Sequence, residues 1–265
     1  LRSAHAVTIP GAIDAFCHLS DKVGTLGLDA ILAPSIRYAE EGVPVAARVA
    51  FDWANNADTL QGSARDHYLM KGQPPKEGAL FRSPGQAEVL RRIAKDGRDA
   101  FYSGEIADDM ISALNGLGGV HSAADFENVA CSTSDPISGT YQDLEVVEHA
   151  PNGQGATALL MMNILSHFDI ASMAPFGAAR VHVDAEAAKL AYDARDRILA
   201  DPDHTSRLNH MLSMETAQRL AGLINPRTAM TAAKTVSEAV HKDTVYITVV
   251  DRDGMSVSLI YSIFH

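Results

Sequence analysis

Residues 244–254 read TVYITVVDRDG, and residues 255–265 continue MSVSLIYSIFH. Val245, Ile247 and Val249 alternate with Tyr246, Thr248 and Val250, the two-residue period of a strand. Asp253-Gly254 is a hairpin turn signal. Val257, Leu259, Tyr261 and Ile263 then form a returning strand. A lone hairpin is marginal in water, so this one is expected to join a larger sheet.

Upstream the pattern changes to helices with short links. Residues 12–19 place Ile13, Phe16 and Cys17 on one helical face. Residues 28–41 repeat the pattern, with Gly42 at the C-cap position and Pro34 predicting a kink or a break. Ser83-Pro84 supplies an N-cap and a first-turn proline for a helix ending near Gly97. A further amphipathic helix covers 104–117, and Ser122 with Asp125 forms a capping box. Tyr141, Leu144, Val146 and Val147 flank a Gln142-Asp143 turn, which predicts a short hairpin near 137–148. Residues 156–165 are an apolar helix, 178–199 a long charged one, and 211–223 another helix. Residues 226–242 are polar and weakly patterned, an exposed linker.

Composition excludes several function classes. Hydrophobic residues make up 46% and charged residues 21% of 265, as a packed core requires. No apolar run approaches the roughly 20 residues of a membrane span. The net charge of −11 lacks the basic footprint of a nucleic-acid binder. Cys17 and Cys131 read as two buried free thiols. The sequence has no phosphate-binding G-x-x-x-x-G-K-[ST], no H-E-x-x-H, no C-x-x-C and no G-x-S-x-G. Asp251-Arg252-Asp253-Gly254 reads as a turn rather than a calcium loop. No metal site and no cofactor are expected. Glu186, Lys189, Asp193, Arg195, Asp196 and Arg197 read as the solvated face of the long helix. Trp53 reads as a core contact and His121 as a loop residue.

Eight segments, taken in order, resemble the γ-glutamyltranspeptidase family of N-terminal-nucleophile hydrolases. They are IPGAIDAF (9–16), LAPSIRYAEEG (32–42), FYSGEIA (101–107), Gly118-Gly119 with Asp125-Phe126, ISGTY (137–141), NIL (163–165) with Phe168-Asp169, ADPD (200–203) and TVYITVVDRDG (244–254). The resemblance runs from Pro10 to His265. It implies an α+β fold: part of the αββα sandwich, mostly the helical part of the large subunit plus the first β-hairpin of the small subunit. On that reading residues 1–225 are large-subunit-like, 226–243 is the exposed linker before the processing site, and 244–265 begins the small-subunit-like core sheet.

The resemblance also implies a mechanism. Family members cleave themselves before a threonine, here the bond between Asp243 and Thr244. Threonine is a weak nucleophile without an adjacent base. An N-terminal threonine carries its own, because its freed α-amino group titrates near pH 8. Thr244 then forms an acyl-enzyme from a γ-glutamyl amide such as glutathione, and water or an amino-acid or peptide acceptor resolves it. Ser262 occupies the position of a second family hydroxyl near the nucleophile. Phe264 stands where the family has an asparagine that helps to hold the substrate α-amino group, which points toward a different acyl group. Tyr246 replaces a usual histidine. The family's proline-serine-serine-glycine-glycine stretch corresponds to Pro151-Asn152-Gly153-Gln154-Gly155.

The substrate arginine of the family precedes the matching region, and its serine pair and oxyanion glycines follow it. The chain is therefore expected to be an internal piece, partnered by the remainder of its own precursor. Each missing oxyanion donor costs about 10²–10³ in rate, so these residues alone are expected to turn over little. A related acylase for another acyl amide and a non-processing scaffold are the alternatives. Acceptor, oligomeric state and a periplasmic or cytoplasmic location stay open.

Overall fold

The computed structural model describes residues 3–231 and 244–262. Asp243 and Phe264, and residues 232–242 of the expected linker, lie outside the described residues. The chain packs as two compact units, Leu1–Ser132 and Thr133–His265. Helices dominate both.

The first unit runs α1 (Ala12–Val23), α2 (Leu28–Glu41), β1 (Val43–Pro44), α3 (Ala47–Asn56), α4 (Ser63–Tyr68), β2 (Leu80–Phe81), α5 (Pro84–Asp96), α6 (Asp99–Tyr102), α7 (Glu105–Gly116) and α8 (Ala123–Glu127). α2 lies along α5. It is one helix with Pro34 inside it, not two short ones. Proline removes one backbone bond there, and packing along α5 offsets the loss. Gly42 closes α2 at φ 98°, a conformation that favours glycine. Ser122 and Asp125 make the capping box reciprocally. Ser83 starts α5, but its side chain makes no cap bond. Its hydroxyl meets His67 Nε2 at 3.3 Å instead. Trp53 is half-buried and packs edge-on against Phe81, with ring centroids 4.8 Å apart, outside both hydrophobic clusters of the described residues.

A buried carboxylate ties this unit together. Asp14 on α1 is only 6% exposed. It pairs with Arg98 Nε, and its Oδ2 accepts the Cys131 N–H at 2.5 Å. Burial pushes the Asp14 carboxyl up, but the bonds from Arg98 and Cys131 outweigh it and hold the group below its usual range. Arg98 also donates to the Glu127 and Val129 carbonyls. The Tyr102 hydroxyl accepts from the Asp14 N–H at 3.0 Å and donates to the Pro10 carbonyl at 2.6 Å. Both cysteines are free thiols, Cys17 buried and Cys131 half-buried.

The second unit runs β3 (Ile137–Tyr141), β4 (Leu144–Glu148), α9 (Gly155–Leu165), α10 (Ala178–Ile198), α11 (Leu208–Leu212), α12 (Met214–Ala221), β5 (Thr244–Val250) and β6 (Ser256–Ser262). α9 buries eight of its eleven residues, Leu160 and Ile164 completely. α10, α11 and α12 surround it. The segment expected as one helix over 211–223 is two, because the Ser213 hydroxyl caps α12 by accepting from the Thr216 N–H at 3.2 Å.

Glu186 corrects the reading of α10 as a solvated charged face. It is 1% exposed. Oε1 accepts from Lys189 Nζ at 2.5 Å, and Oε2 accepts from the Met230 N–H at 2.8 Å. Lys189 Nζ also donates to the Met230 carbonyl at 3.3 Å. One helical face therefore grips both polar groups of one peptide residue. The hydrogen bond from Lys189 holds the Glu186 carboxyl below its usual range against the opposing effect of burial.

The described strands pair only two by two: β1 with β2, β3 with β4, β5 with β6, all antiparallel. The result is the expected α+β class, a helix-rich part of the sandwich with its leading hairpin.

Candidate functional site

The hairpin register sorts its residues by face. Val245 pairs with Tyr261, Ile247 with Leu259 and Val249 with Val257. Side chains alternate along a strand and opposite residues share a face, so one face is apolar except for the Tyr261 phenol. The intervening pairs are Thr244 with Ser262, Tyr246 with Ile260, Thr248 with Ser258 and Val250 with Ser256. Among the residues whose side chains are described, that second face carries every hydroxyl of the two strands except Tyr261's. The sequence signal for this split was present, but the register had to fix which residues oppose.

The turn is wider than Asp253-Gly254 alone suggests. The last strand pair is Val250 with Ser256, so 251–255 form the loop. Asp251 organises it: Oδ1 accepts from the N–H groups of Asp253 and Met255, both at 2.9 Å. Gly254 adopts φ 86°. The aspartate spends its carboxylate on backbone, as a turn residue does.

Thr244 is the first residue of β5 and Ser262 the last of β6, directly opposed. The register thus brings two of the sequence-derived positions opposite each other at one end of the hairpin.

Along that same face lies an open groove of about 470 Å³. Tyr246, Ser258 and Ile260 form its β5–β6 side. Pro136, Val147, Glu148 and His149 form the other. The Tyr246 hydroxyl lies 3.0 Å from Ser258 Oγ, and this bond lowers the phenol from its usual range. Glu148 is half-buried. Among the described residues its carboxylate has neither a hydrogen-bond nor an ion-pair partner.

Local packing places Glu148 and His149. α9 starts at Gly155 beneath them. A Cβ added at Gly155 would sit 2.7 Å from the Glu148 Cβ and closer still to the His149 carbonyl oxygen. Only glycine lets β4 run this close to the helix start. The Pro151-to-Gly155 stretch is therefore the joint that carries the groove wall. Sequence reading singled out the stretch but missed Glu148 and His149; the packing glycine after the strand was the available signal.

Among the described residues no three His, Cys, Asp or Glu side chains gather as a metal site needs. No described helix is long and apolar enough to cross a membrane.

Known proteins share both this architecture and its order along the chain. A cephalosporin acylase from Bacillus halodurans superposes with a TM-score of 0.85 at 32% identity, over 98% of this chain and 49% of that one. The glutathione hydrolase-like YwrD proenzyme of Bacillus subtilis (strain 168) is 32% identical over 262 residues, 98% of this chain and 49% of that protein. The oxamate amidohydrolase proenzyme of Klebsiella pneumoniae is 31% identical over 264 residues, 98% of this chain and 49% of that protein. The fold class is that of the N-terminal-nucleophile hydrolases. The Gamma-glutamyltranspeptidase family model matches residues 1–265, and the chain belongs to that family. It spans about half the length of the curated relatives it matches.

Proposed function

We propose that the whole protein is a self-processing acyltransferase or hydrolase of γ-glutamyl amides such as glutathione, with Thr244 as its nucleophile. The observation that carries this reading is the position of Thr244. It opens β5, in register with Ser262, in a hairpin whose sequence follows the family pattern.

In maturation, the Thr244 hydroxyl attacks the carbonyl carbon of Asp243. The peptide becomes an ester, and water then cleaves it to a carboxylate at Asp243 and a free amine at Thr244. In turnover, the hydroxyl attacks the substrate amide carbonyl while the new α-amino group takes its proton. The amide C–N bond breaks and the amine leaves with that proton. Water or an amine acceptor attacks the remaining ester. Positions facing each other across an antiparallel pair lie within side-chain reach, so Ser262 is assigned a hydrogen bond to the nucleophile. Phe264 is assigned to the substrate side of the site.

A second reading keeps the nucleophile and changes the acyl group. The relatives named oxamate amidohydrolase and cephalosporin acylase favour it. The apolar hairpin face supports a further partner. Val245, Ile247, Val249 and Val257 are each at least 40% exposed, and further strands of the same precursor would cover them.

The test is intact mass and N-terminal sequencing of the full-length product. A new chain beginning Thr244-Val245-Tyr246 is expected, with none from Thr244→Ala. A single chain stable over days would overturn the reading in favour of a scaffold. Rates on γ-glutamyl against other acyl anilides separate the two enzyme readings.

A further inference from the structure

α10 turns His182, Glu186 and Lys189, spaced by four and then three residues, to one helical face. All three hold the chain that leaves α12. His182 Nε2 lies 2.8 Å from the Asn225 carbonyl oxygen. Glu186 accepts the Met230 N–H, and Lys189 donates to the Met230 carbonyl. The Met230 side chain packs against the core built by α9, α10 and α12. Thr231 is exposed. Among the described residues, Met230 is therefore the last one held before β5 opens at Thr244.

Stability alone does not account for this arrangement. A buried ion pair commonly stabilises a fold no more than apolar side chains of similar volume do. What the charges add is position. Glu186 takes only a donor and Lys189 serves only an acceptor, so the pair reads the N–H and the C=O of one residue in one direction. In an extended chain the neighbouring residues turn these groups the other way. A slip by two residues would pull the Met230 side chain out of the core.

Self-cleavage needs such a fixed point. The attacking hydroxyl belongs to Thr244, whose place in the hairpin is set by its pairing with Ser262. The attacked carbonyl belongs to the preceding residue, and so to the chain that arrives from Met230. A displacement of about 1 Å between reacting groups costs about 10²-fold in rate.

We propose that Glu186 and Lys189 are positioning residues for maturation: their grip on Met230 presents the bond between residues 243 and 244 for self-cleavage. This rests on the Thr244 reading above. Chain length alone is a small effect. Without the grip, the nearest upstream hold is Asn225, and lengthening a free tether from residues 231–243 to residues 226–243 slows closure only about 1.6-fold.

The experiment compares full-length precursors by intact mass over time. Glu186→Leu combined with Lys189→Met exchanges the ion pair for apolar side chains, so its melting temperature stays close to that of wild type. Its chain beginning at Thr244 appears at least about tenfold more slowly. Met230→Pro removes the N–H that Glu186 receives and leaves α10 unchanged; it slows cleavage likewise, and it decides the matter if the double variant melts lower. Lys189→Arg keeps the charge and the donor and recovers most of the rate. Turnover per cleaved molecule, on the acyl anilide that wild type hydrolyses fastest, stays at the wild-type value throughout.

Cleavage of Met230→Pro and of a stable double variant within about twofold of wild type would overturn the proposal, since tether length covers a change of that size. A parallel fall in cleavage and in turnover per cleaved molecule would make the pair structural and overturn it too. A wild-type precursor that never yields the chain beginning at Thr244 would overturn the Thr244 reading and this proposal together; wild-type cleavage matched by the variants overturns this proposal alone.

Discussion

Removing Lys189 should expose the cost of burying Glu186. Glu186 is 1% exposed and has two partners, Lys189 and the Met230 N–H. In Lys189→Ala the carboxylate keeps one neutral hydrogen bond and loses its counter-charge. Stranding a buried charge in this way costs about 3–5 kcal/mol. Protonation offers a cheaper escape. From an unfolded value near 4.3, taking up a proton at pH 7 costs about 3.7 kcal/mol, at 1.36 kcal/mol per unit. The cost of the stranded charge is therefore capped at about 3.7 kcal/mol at pH 7 and about 1 kcal/mol at pH 5. The sign is that of a carboxyl raised in the folded state: destabilisation is absent below the unfolded value and grows as pH rises. Wild type behaves oppositely. Its Glu186 is held low by Lys189, so its contribution is present above about pH 4.3 and is lost as pH falls through the folded value. Urea unfolding followed by far-UV circular dichroism at both pH values measures the difference. Equal penalties at pH 5 and pH 7, or one below about 1 kcal/mol at pH 7, would refute the account of Glu186 as a charge held by Lys189.

Other predictions follow from packing and from exposure. Gly155→Ala should destabilise by about 1–3 kcal/mol, because the new methyl meets Glu148 and the His149 carbonyl; a neutral thermal melt would refute the close approach. Arg98→Ala should cost about 3–5 kcal/mol, since it leaves Asp14 buried without its cation and frees the Glu127 and Val129 carbonyls. Asp14→Asn should cost less, and denaturant midpoints rank the two. Leu160→Ala on α9 removes a wholly buried side chain and should cost about 2–5 kcal/mol. Hydrogen exchange of residues 245–261 should be slow in the full-length protein and fast in the 265-residue chain; slow exchange in both would show that the hairpin needs no further sheet.

Elements with strong local signals were legible in the sequence. α1 and α7 follow from apolar spacing, α5 from Ser83-Pro84 and Gly97, α8 from its capping box, and both longer hairpins from alternation. What failed was context. Pro34 argued for a break, yet tertiary packing kept α2 whole. Glu186 belongs to a charged run, and nothing in that run distinguishes the one carboxylate that meets Met230, forty-four positions on. The helix expected over 211–223 hid a serine that caps its second half. α3 has no capping residue to announce it: Ala46 stands at its N-cap without a side-chain bond. At the site, Thr244 and Ser262 came from resemblance, and their opposition came from the register.

The two faces of β5–β6 explain why resemblance could single out Thr244 where spacing could not. A threonine opening a strand is common, because threonine suits a pleated, half-buried surface. Its meaning depends on the face it shares. Three successive pairs, Val245–Tyr261, Ile247–Leu259 and Val249–Val257, give one face no capacity to hold a polar ligand beyond a single phenol. That face is chemically suited to a core and to little else. The opposite face carries Tyr246, Thr248, Ser256 and Ser258, with positions 244 and 262 in register at its end. A strand buried on both sides would bury each of those hydroxyls at a cost unless it were bonded. A hydroxyl-rich face therefore has to meet water, polar partners or a ligand, and here it borders a groove lined by the half-buried Glu148. The opposition of Thr244 and Ser262 and the hydroxyl-rich side of the groove follow from one register: shifting it by one residue would break that opposition and mix the two faces.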